Sequence, residues 1–252
     1  MTFTAHNIRF EDGTQTYPAA GCLLEEIGPF QAAKRMLNLV FPHGLQGKRI
    51  ADLGCLEGGY ATGFARLGMD AVGIEVRKEN FRNCLYVKSN LNLPNLTFVN
   101  DDVNNIDHYG TFDAIWAGGI FYHLDKPRSF LEKAARGCRK VIFIETHFTY
   151  SYTTPAAERH RLSDLCEHDG LKGRWFHEHG DISLDELETL YWAAWSNERS
   201  FWVQKEHLLQ LIQDVGFDIV LEQYDLMPNI LEGMDNYYHN LDRALFVGIK
   251  SF

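Results

Sequence analysis

Short apolar runs at 50–53, 71–74, 96–99, 114–116 and 141–144 recur along the chain, with amphipathic stretches of helical periodicity between them. Runs this short and this uniformly apolar suit strands buried on both faces. Strands that alternate with helices form a mostly parallel sheet covered on each side. The helix boundaries support this spacing. Residues 28–41 place Phe30, Ala33, Leu37 and Val40 near helical spacing, and Gly68 closes the first crossover helix. Asp125 and Gly137 bracket the fourth helix, with Pro127 in its first turn. Further on, a helix over 204–215 stops at Gly216, and strands are expected near 217–224 and 244–249, about seven strands in all. Residues 1–27 read as irregular, with turn chemistry at Asp12-Gly13.

The 252 residues suffice for one large domain, or for a core with an insertion. The division expected is an N-terminal segment with a nucleotide-binding core (1–145), an insertion (146–202) and the C-terminal part of the core (203–252). A formal net charge of −10, with Lys and Arg scattered, disfavours long nucleic acids as partners. No stretch approaches the ~20 apolar residues of a membrane span, and residues 1–10 lack the order of a signal peptide. Five widely spaced cysteines without a CxxC favour reduced thiols, so the expected setting is the cytoplasm, with no membrane partner.

Residues 146–202 break the alternation. They hold four of the five tryptophans and five of the eleven histidines. Ser183 and Glu186 have capping-box spacing, after which Leu184, Leu187 and Tyr191 fall on one helical face. The segment is therefore expected to be a helical insertion after the fifth strand. It leaves from the carboxyl edge of the sheet, where ligands of open α/β sheets bind, and can serve as a lid. The loop 225–243 leaves the sixth strand at the same edge.

The candidate ligand site begins in R-I-A-D-L-G-C-L-E-G-G-Y (49–60), which reads as a strand, a glycine-rich turn and a helix start. In that turn Gly54, Cys55, Leu56 and Gly58 bring backbone close to a ligand. Glu75, with Val76 beside it, closes the second strand at the distance where an acid accepts ribose hydroxyls. Charge separates two classes of nucleotide. A pyrophosphate wants donors and positive potential at the first turn, but here the turn carries Asp52 and Glu57, and its glycines do not follow GxGxxG. Two carboxylates suit a ligand bearing an ammonium and a sulfonium; Asp52 could alternatively serve as a turn or cap residue. The third strand ends in F-V-N-D-D-V (98–103), where Asp102 can accept an adenine amine and the Val103 N–H can serve a ring nitrogen. The competing role for Asp101 and Asp102 is to cap the turn that follows.

Residues 49–145 resemble the S-adenosylmethionine (SAM)-dependent methyltransferase superfamily with the Rossmann-like fold. D-L-G-C-L-E-G is similar to its glycine-rich motif, G-I-E to its acidic ribose motif, D-D-V to its adenine motif, and F-D-A-I-W-A-G-G-I-F-Y-H-L (112–124) to its fourth-strand motif. The resemblance implies a seven-stranded, mostly parallel sheet with the last strand antiparallel. It also implies SAM as cofactor, and a backbone contact near Gly118 to the methionine end. Leu56 departs from the pattern, standing where many members have glycine. F-Y-H-L and I-E-T-H also resemble enzymes that modify wobble uridine in tRNA with a carboxylated SAM relative.

Methyl transfer requires alignment, exclusion of water and, for some acceptors, a base. His123 is the first candidate base, with a structural histidine beneath the loop as the alternative; Glu145 and His147 follow. Tyr122, Trp175 and Trp202 are candidate contacts for the acceptor through stacking or cation–π interactions, the alternative for the tryptophans being the lid's own core. His177-Glu178-His179 is too sparse for a metal site, and Cys55 has no base partner that would make it a nucleophile. The activity expected is methylation of an O, N or C nucleophile on a small molecule by a monomer or homodimer. A tRNA-modifying transferase and a non-catalytic SAM-binding regulator are the alternatives.

Overall fold

The computed structural model describes residues 2–224 and 240–251. In chain order its elements are α1 (Gly28–Val40), β1 (Arg49–Leu53), α2 (Gly59–Arg66), β2 (Asp70–Ile74), α3 (Lys78–Ser89), β3 (Leu96–Val99), β4 (Phe112–Gly118), α4 (Pro127–Gly137) and β5 (Cys138–His147). After these come α5 (Pro155–Arg159), β6 (Cys166–His168), β7 (Leu171–His177), α6 (Leu184–Thr189), β8 (Arg199–Val203), α7 (Lys205–Asp214), β9 (Ile219–Gln223) and β10 (Arg243–Ile249). Seven strands make the main sheet in the order β3-β2-β1-β4-β5-β10-β9, and β10 runs antiparallel to both neighbours. The expected seven-stranded α/β sheet with its last strand antiparallel is therefore present. Its central strands are buried along their length: Ile50, Ala51 and Leu53 in β1, and Ala114 to Ala117 in β4. Trp116 lies under the helix layer, stacked on Tyr60 with ring centroids 4.6 Å apart.

Strand order reverses between β1 and β4, so the crossovers on their two sides diverge and leave a crevice beyond the carboxyl ends. The expected helical insertion is the main correction to the sequence-based expectation. Its core is a three-stranded antiparallel sheet, β6-β7-β8, accompanied by the short helices α5 and α6. The physical cause is local. Asp169 and Gly170 both have positive φ (52° and 68°) and form a two-residue turn pairing His168 with Leu171, the geometry that Asp-Gly favours in hairpins. The Ser183–Glu186 capping box does form. However, α6 ends at Thr189, so Tyr191 lies outside it, while Leu184 is exposed and Leu187 buried. The loop anticipated over 225–243 lies outside the described residues as far as 239.

One carboxylate makes the densest set of contacts between the N-terminal segment and the core, beside single bonds such as Asn83 Nδ2 to Thr2 O. Glu57, buried at the end of the glycine turn, accepts the backbone N–H groups of Thr4 (2.6 Å), Ala5 (3.2 Å) and His6 (2.8 Å). Its charge is thus spent on the protein's own amides, not on a ligand. Removing the acceptor leaves one buried and two partly buried donors without this partner, a fully buried loss costing about 1–3 kcal/mol. We therefore expect Glu57→Ala to lower stability by at least ~2 kcal/mol in urea unfolding. Amide exchange at residues 4–6 should accelerate; unchanged exchange there would show that Glu57 does not hold the segment.

Candidate active site

A cavity of about 310 Å³ opens at the sheet's switch point. Loop residues following β1, β2, β3 and β4 build its floor, and the stretch from Tyr191 to Asn197 in the insertion closes over it. Of the residues expected to hold a nucleotide, Asp52, Gly54, Cys55, Leu56, Glu75, Val76, Asp102, Val103 and Gly118 line this one space; Gly58 does not, because it packs behind the turn against Phe98.

The glycine turn has the shape its sequence suggests. Gly54 and Gly58 have φ of +68° and +79°, and a Cβ at Gly58 would lie 2.5 Å from the Phe98 ring. Leu56 adopts φ +51° without being glycine. Asp52 Oδ2 accepts from Ala61 N (2.8 Å) in the first turn of α2, so this residue both braces the helix start and faces the cavity. Burial raises its carboxyl to about 7 against the pull of that hydrogen bond, and the charge of Glu75 adds to the rise. Glu75 Oε2 accepts from Leu56 N (2.9 Å) and Oε1 from Arg77 N (2.8 Å). Burial likewise lifts it to about 7, opposed by these two backbone donors. Asp102 caps the following turn, accepting from Asn104 N (2.7 Å), and also lines the cavity. Asp101 binds Tyr109 Oη and Asn105 Nδ2 and is purely structural.

The three candidate bases separate clearly. His123 follows β4 on a 3-10 turn and lines the cavity, with Nδ1 2.8 Å from Glu178 Oε1. Glu178 is itself fixed: its side chain is 1% exposed, Oε1 also accepts from Ser200 Oγ (2.6 Å), and Oε2 accepts from Ala194 N (3.0 Å). Glu145 lines the cavity but has both oxygens on the Arg243 guanidinium, at 2.5 and 2.6 Å. His147 does not line it. Its Nδ1–H donates to Leu241 O (2.9 Å), its Nε2 lies 3.3 Å from Arg243 Nη1, and its ring stacks on Trp202. Burial and the Arg243 charge lower His147 to about 3, so it stays neutral. Cys55 is buried 3.8 Å from Cys84 Sγ, and desolvation pushes its thiol well up, which removes it as a nucleophile.

Of the aromatic candidates, Tyr122 lines the cavity and carries the Arg243 guanidinium over its ring at 5.2 Å. Trp175 and Trp202 do not line it. The register of β7 and β8 puts the two rings on opposite faces of the small sheet: Trp202 packs against His147, Phe176 and Tyr122, and Trp175 against Phe201 and His168. Tyr191, Trp192 and Trp195 line the cavity instead. Arg77 latches this stretch: Nη2 donates to Leu190 O and Ala193 O (2.7 Å each), and the guanidinium lies 5.1 Å over the Trp195 ring. Sequence reasoning also missed His6, Tyr60, Arg77, Glu178 and Arg243. The only local hint was the acidic spacing of Glu75, two residues before Arg77.

Residues 51–141 match the family described as "Methyltransferase domain". Among solved structures, the chain is similar to the N-terminal domain of EvdMO1 solved in the presence of SAH and D-fucose: TM-score 0.66, 21% identity, covering 97% of this chain and 90% of that one. It is also similar to magnesium protoporphyrin IX methyltransferase from Synechocystis PCC 6803 with bound SAH, with TM-score 0.53, 13% identity and coverage of 88% and 82%. A third likeness is to the 1,6-didemethyltoxoflavin-N1-methyltransferase of Burkholderia thailandensis: TM-score 0.53, 13% identity, coverage 88% and 79%. These likenesses establish the fold. No curated protein sequence matches the chain. No helix among the described residues is long and apolar enough to cross a membrane.

A carboxyl whose folded-state value is raised above its unfolded one makes the folded state bind more protons between the two values. Its contribution to stability therefore falls as pH rises through that window. For Asp52 the window runs from the ordinary carboxyl range of about 4 to about 7. Asp52→Asn keeps an oxygen for Ala61 N and removes the titration. The variant's stability relative to wild type should accordingly increase between about pH 4 and pH 7, by on the order of 1 kcal/mol or more, and level off above. A pH-independent difference in urea titrations would show that Asp52 titrates normally.

Proposed function

We propose that the protein is a SAM-dependent methyltransferase that methylates a hydroxyl oxygen of a small polar molecule with His123 as general base, a reading supported by the match of residues 51–141 to a methyltransferase domain and by the Rossmann-like fold. The observation that carries this reading is the His123–Glu178 pair at the cavity wall.

The residues present fit the cofactor. Asp52, Glu75 and Asp102, at the ends of three successive strands, present carboxylates to one cavity. Cationic and hydroxylated ligand groups need such acceptors, whereas a pyrophosphate would be repelled. Asp52 would face the ammonium, Glu75 the ribose hydroxyls and Asp102 the adenine amine, with Val103 and the Gly118 backbone beside them. When bound, SAM supplies an electrophilic methyl group on a sulfonium centre.

An alcohol is a weak nucleophile until its proton is taken in the transition state, and a positioned base contributes about 10²–10⁴-fold. The Glu178 carboxylate accepts the Nδ1–H of His123, which fixes the tautomer and leaves Nε2 to receive the acceptor's proton. The same buried carboxylate compensates the imidazolium that results. Glu145 does not share this task, since Arg243 holds both of its oxygens; it fixes the guanidinium beside Tyr122. The Tyr191–Asn197 stretch forms part of the cavity wall and would reduce the access of water to a bound ligand. D-fucose, named with the EvdMO1 domain, belongs to the class of polyhydroxylated acceptor with which to begin.

His123→Ala should lower kcat by ~10²-fold or more while SAM affinity in calorimetry stays close to wild type. The acidic limb of the pH–rate profile should vanish with it. Glu178→Gln should preserve the limb and lower kcat by a smaller factor. A screen of SAM with sugars, phenols and amines, read by mass spectrometry, tests the acceptor class. Turnover of amines alone, or His123→Ala within a few-fold of wild type, would overturn the proposal.

A further inference from the structure

His6 is the group in the cavity for which the site described so far gives no task. It belongs to the N-terminal segment anchored by Glu57, yet its ring lines the same space as Asp52 and Tyr60. Its Nδ1 accepts from Gly59 N (3.0 Å), the first residue of α2. A ring nitrogen that accepts carries no proton, so the hydrogen of the neutral ring resides on Nε2. Burial keeps the ring neutral by lowering it to about 4.

Two side chains thus grip the start of one helix, both as acceptors, and keep opposite hydrogen-bonding capacities for a ligand. Asp52 accepts from Ala61 N and offers further acceptor capacity, while His6 accepts from Gly59 N and retains an N–H donor. An acceptor and a donor at one helix start complement an amino-acid zwitterion, whose ammonium and carboxylate are joined through one carbon. The positive end of α2 further favours the carboxylate there. Several other nitrogen donors on the cavity wall already serve protein acceptors. Arg243 is on Glu145, Arg77 on the carbonyls of Leu190 and Ala193, and Asn197 on the carbonyls of His123 and Arg199.

We infer that the N-terminal segment completes the cofactor site, with His6 Nε2–H donating to the α-carboxylate of the cofactor's amino-acid moiety while Asp52 takes its ammonium. This rests on the SAM reading of the cavity. The segment would then be part of the binding site, and the Glu57 contacts would set the height of the His6 ring over the glycine turn.

The test is calorimetric and needs no acceptor. S-adenosylhomocysteine has the amino-acid end, and 5′-methylthioadenosine lacks it. His6→Asn keeps a short acceptor for Gly59 N and loses the distal donor, whereas His6→Gln keeps a distal N–H. His6→Asn should weaken S-adenosylhomocysteine about 10- to 100-fold, the range of a hydrogen bond to a charged group. It should leave 5′-methylthioadenosine within about twofold, and His6→Gln should recover part of the loss. Equal weakening of both ligands by His6→Asn would make His6 a brace for the turn and overturn the inference, as would unchanged binding of S-adenosylhomocysteine. Wild type binding neither compound would instead sink the cofactor reading, and this inference with it.

Discussion

The cavity takes its shape from the way one buried carboxylate is satisfied. Glu75 stands at the end of β2 with one oxygen on the N–H of Leu56 and the other on the N–H of Arg77. The first bond holds the glycine turn after β1, and the second holds the entry to α3. A carboxylate so deeply buried is costly unless donors meet it. Here the donors belong to the two loops that must be fixed for a nucleotide to bind. Any ligand hydroxyl that also donates to Glu75 joins an arrangement already set by the backbone.

From Glu75 the constraint passes to the lid. Arg77 is positioned by its own N–H, and its guanidinium reaches across to two carbonyls and an indole ring of the insertion. Glu178 does the equivalent from the other side, linking Ala194 N to the His123 ring. The stretch above the cavity is therefore pinned by one cation from the core and one anion from the insertion. Opening it would break charge-assisted hydrogen bonds at both points and would release the orientation of His123. On the proposed reading of His123 as base, covering the cavity and aiming that base are a single event.

How much of this was legible in the sequence followed from the range of the interactions. The core strands, the glycine turn and the acids at three strand ends are local patterns, and each appears where its run of residues placed it. The hairpin signal at Asp169-Gly170 is equally local, but the same segment carries the Ser183 capping box, whose helical pattern extends over only six residues in the structure. Trp175 and Trp202 were attractive as large aromatics in the insertion. A strand alternates its faces, however, and both rings are taken up by packing against protein side chains, Trp175 on Phe201 and Trp202 on Phe176 and His147. Glu178 with His123, Arg243 with Glu145, and His6 with Gly59 are pairs distant in the chain and close only after folding. Each partner taken alone resembles an ordinary polar residue, so periodicity and spacing gave no sign of them.

Leu56 shows what the glycine-rich pattern stands for. At φ +51° a residue with a Cβ gives up about 1–2 kcal/mol relative to its preferred region, which glycine would avoid. The turn keeps this conformation nonetheless, because the N–H of Leu56 is held by Glu75 and its carbonyl accepts the Cys84 thiol. Two hydrogen bonds from neighbouring elements offset the local cost and impose the backbone course that glycine elsewhere merely permits. The side chain gained in exchange lines the cavity, where a glycine would leave space. A glycine pattern therefore marks the easiest solution to a geometric requirement, and the requirement itself resides in the donors and acceptors around the turn. That is why the loop can depart from the pattern at Leu56 and still bring Asp52, Glu75 and Asp102 to one cavity.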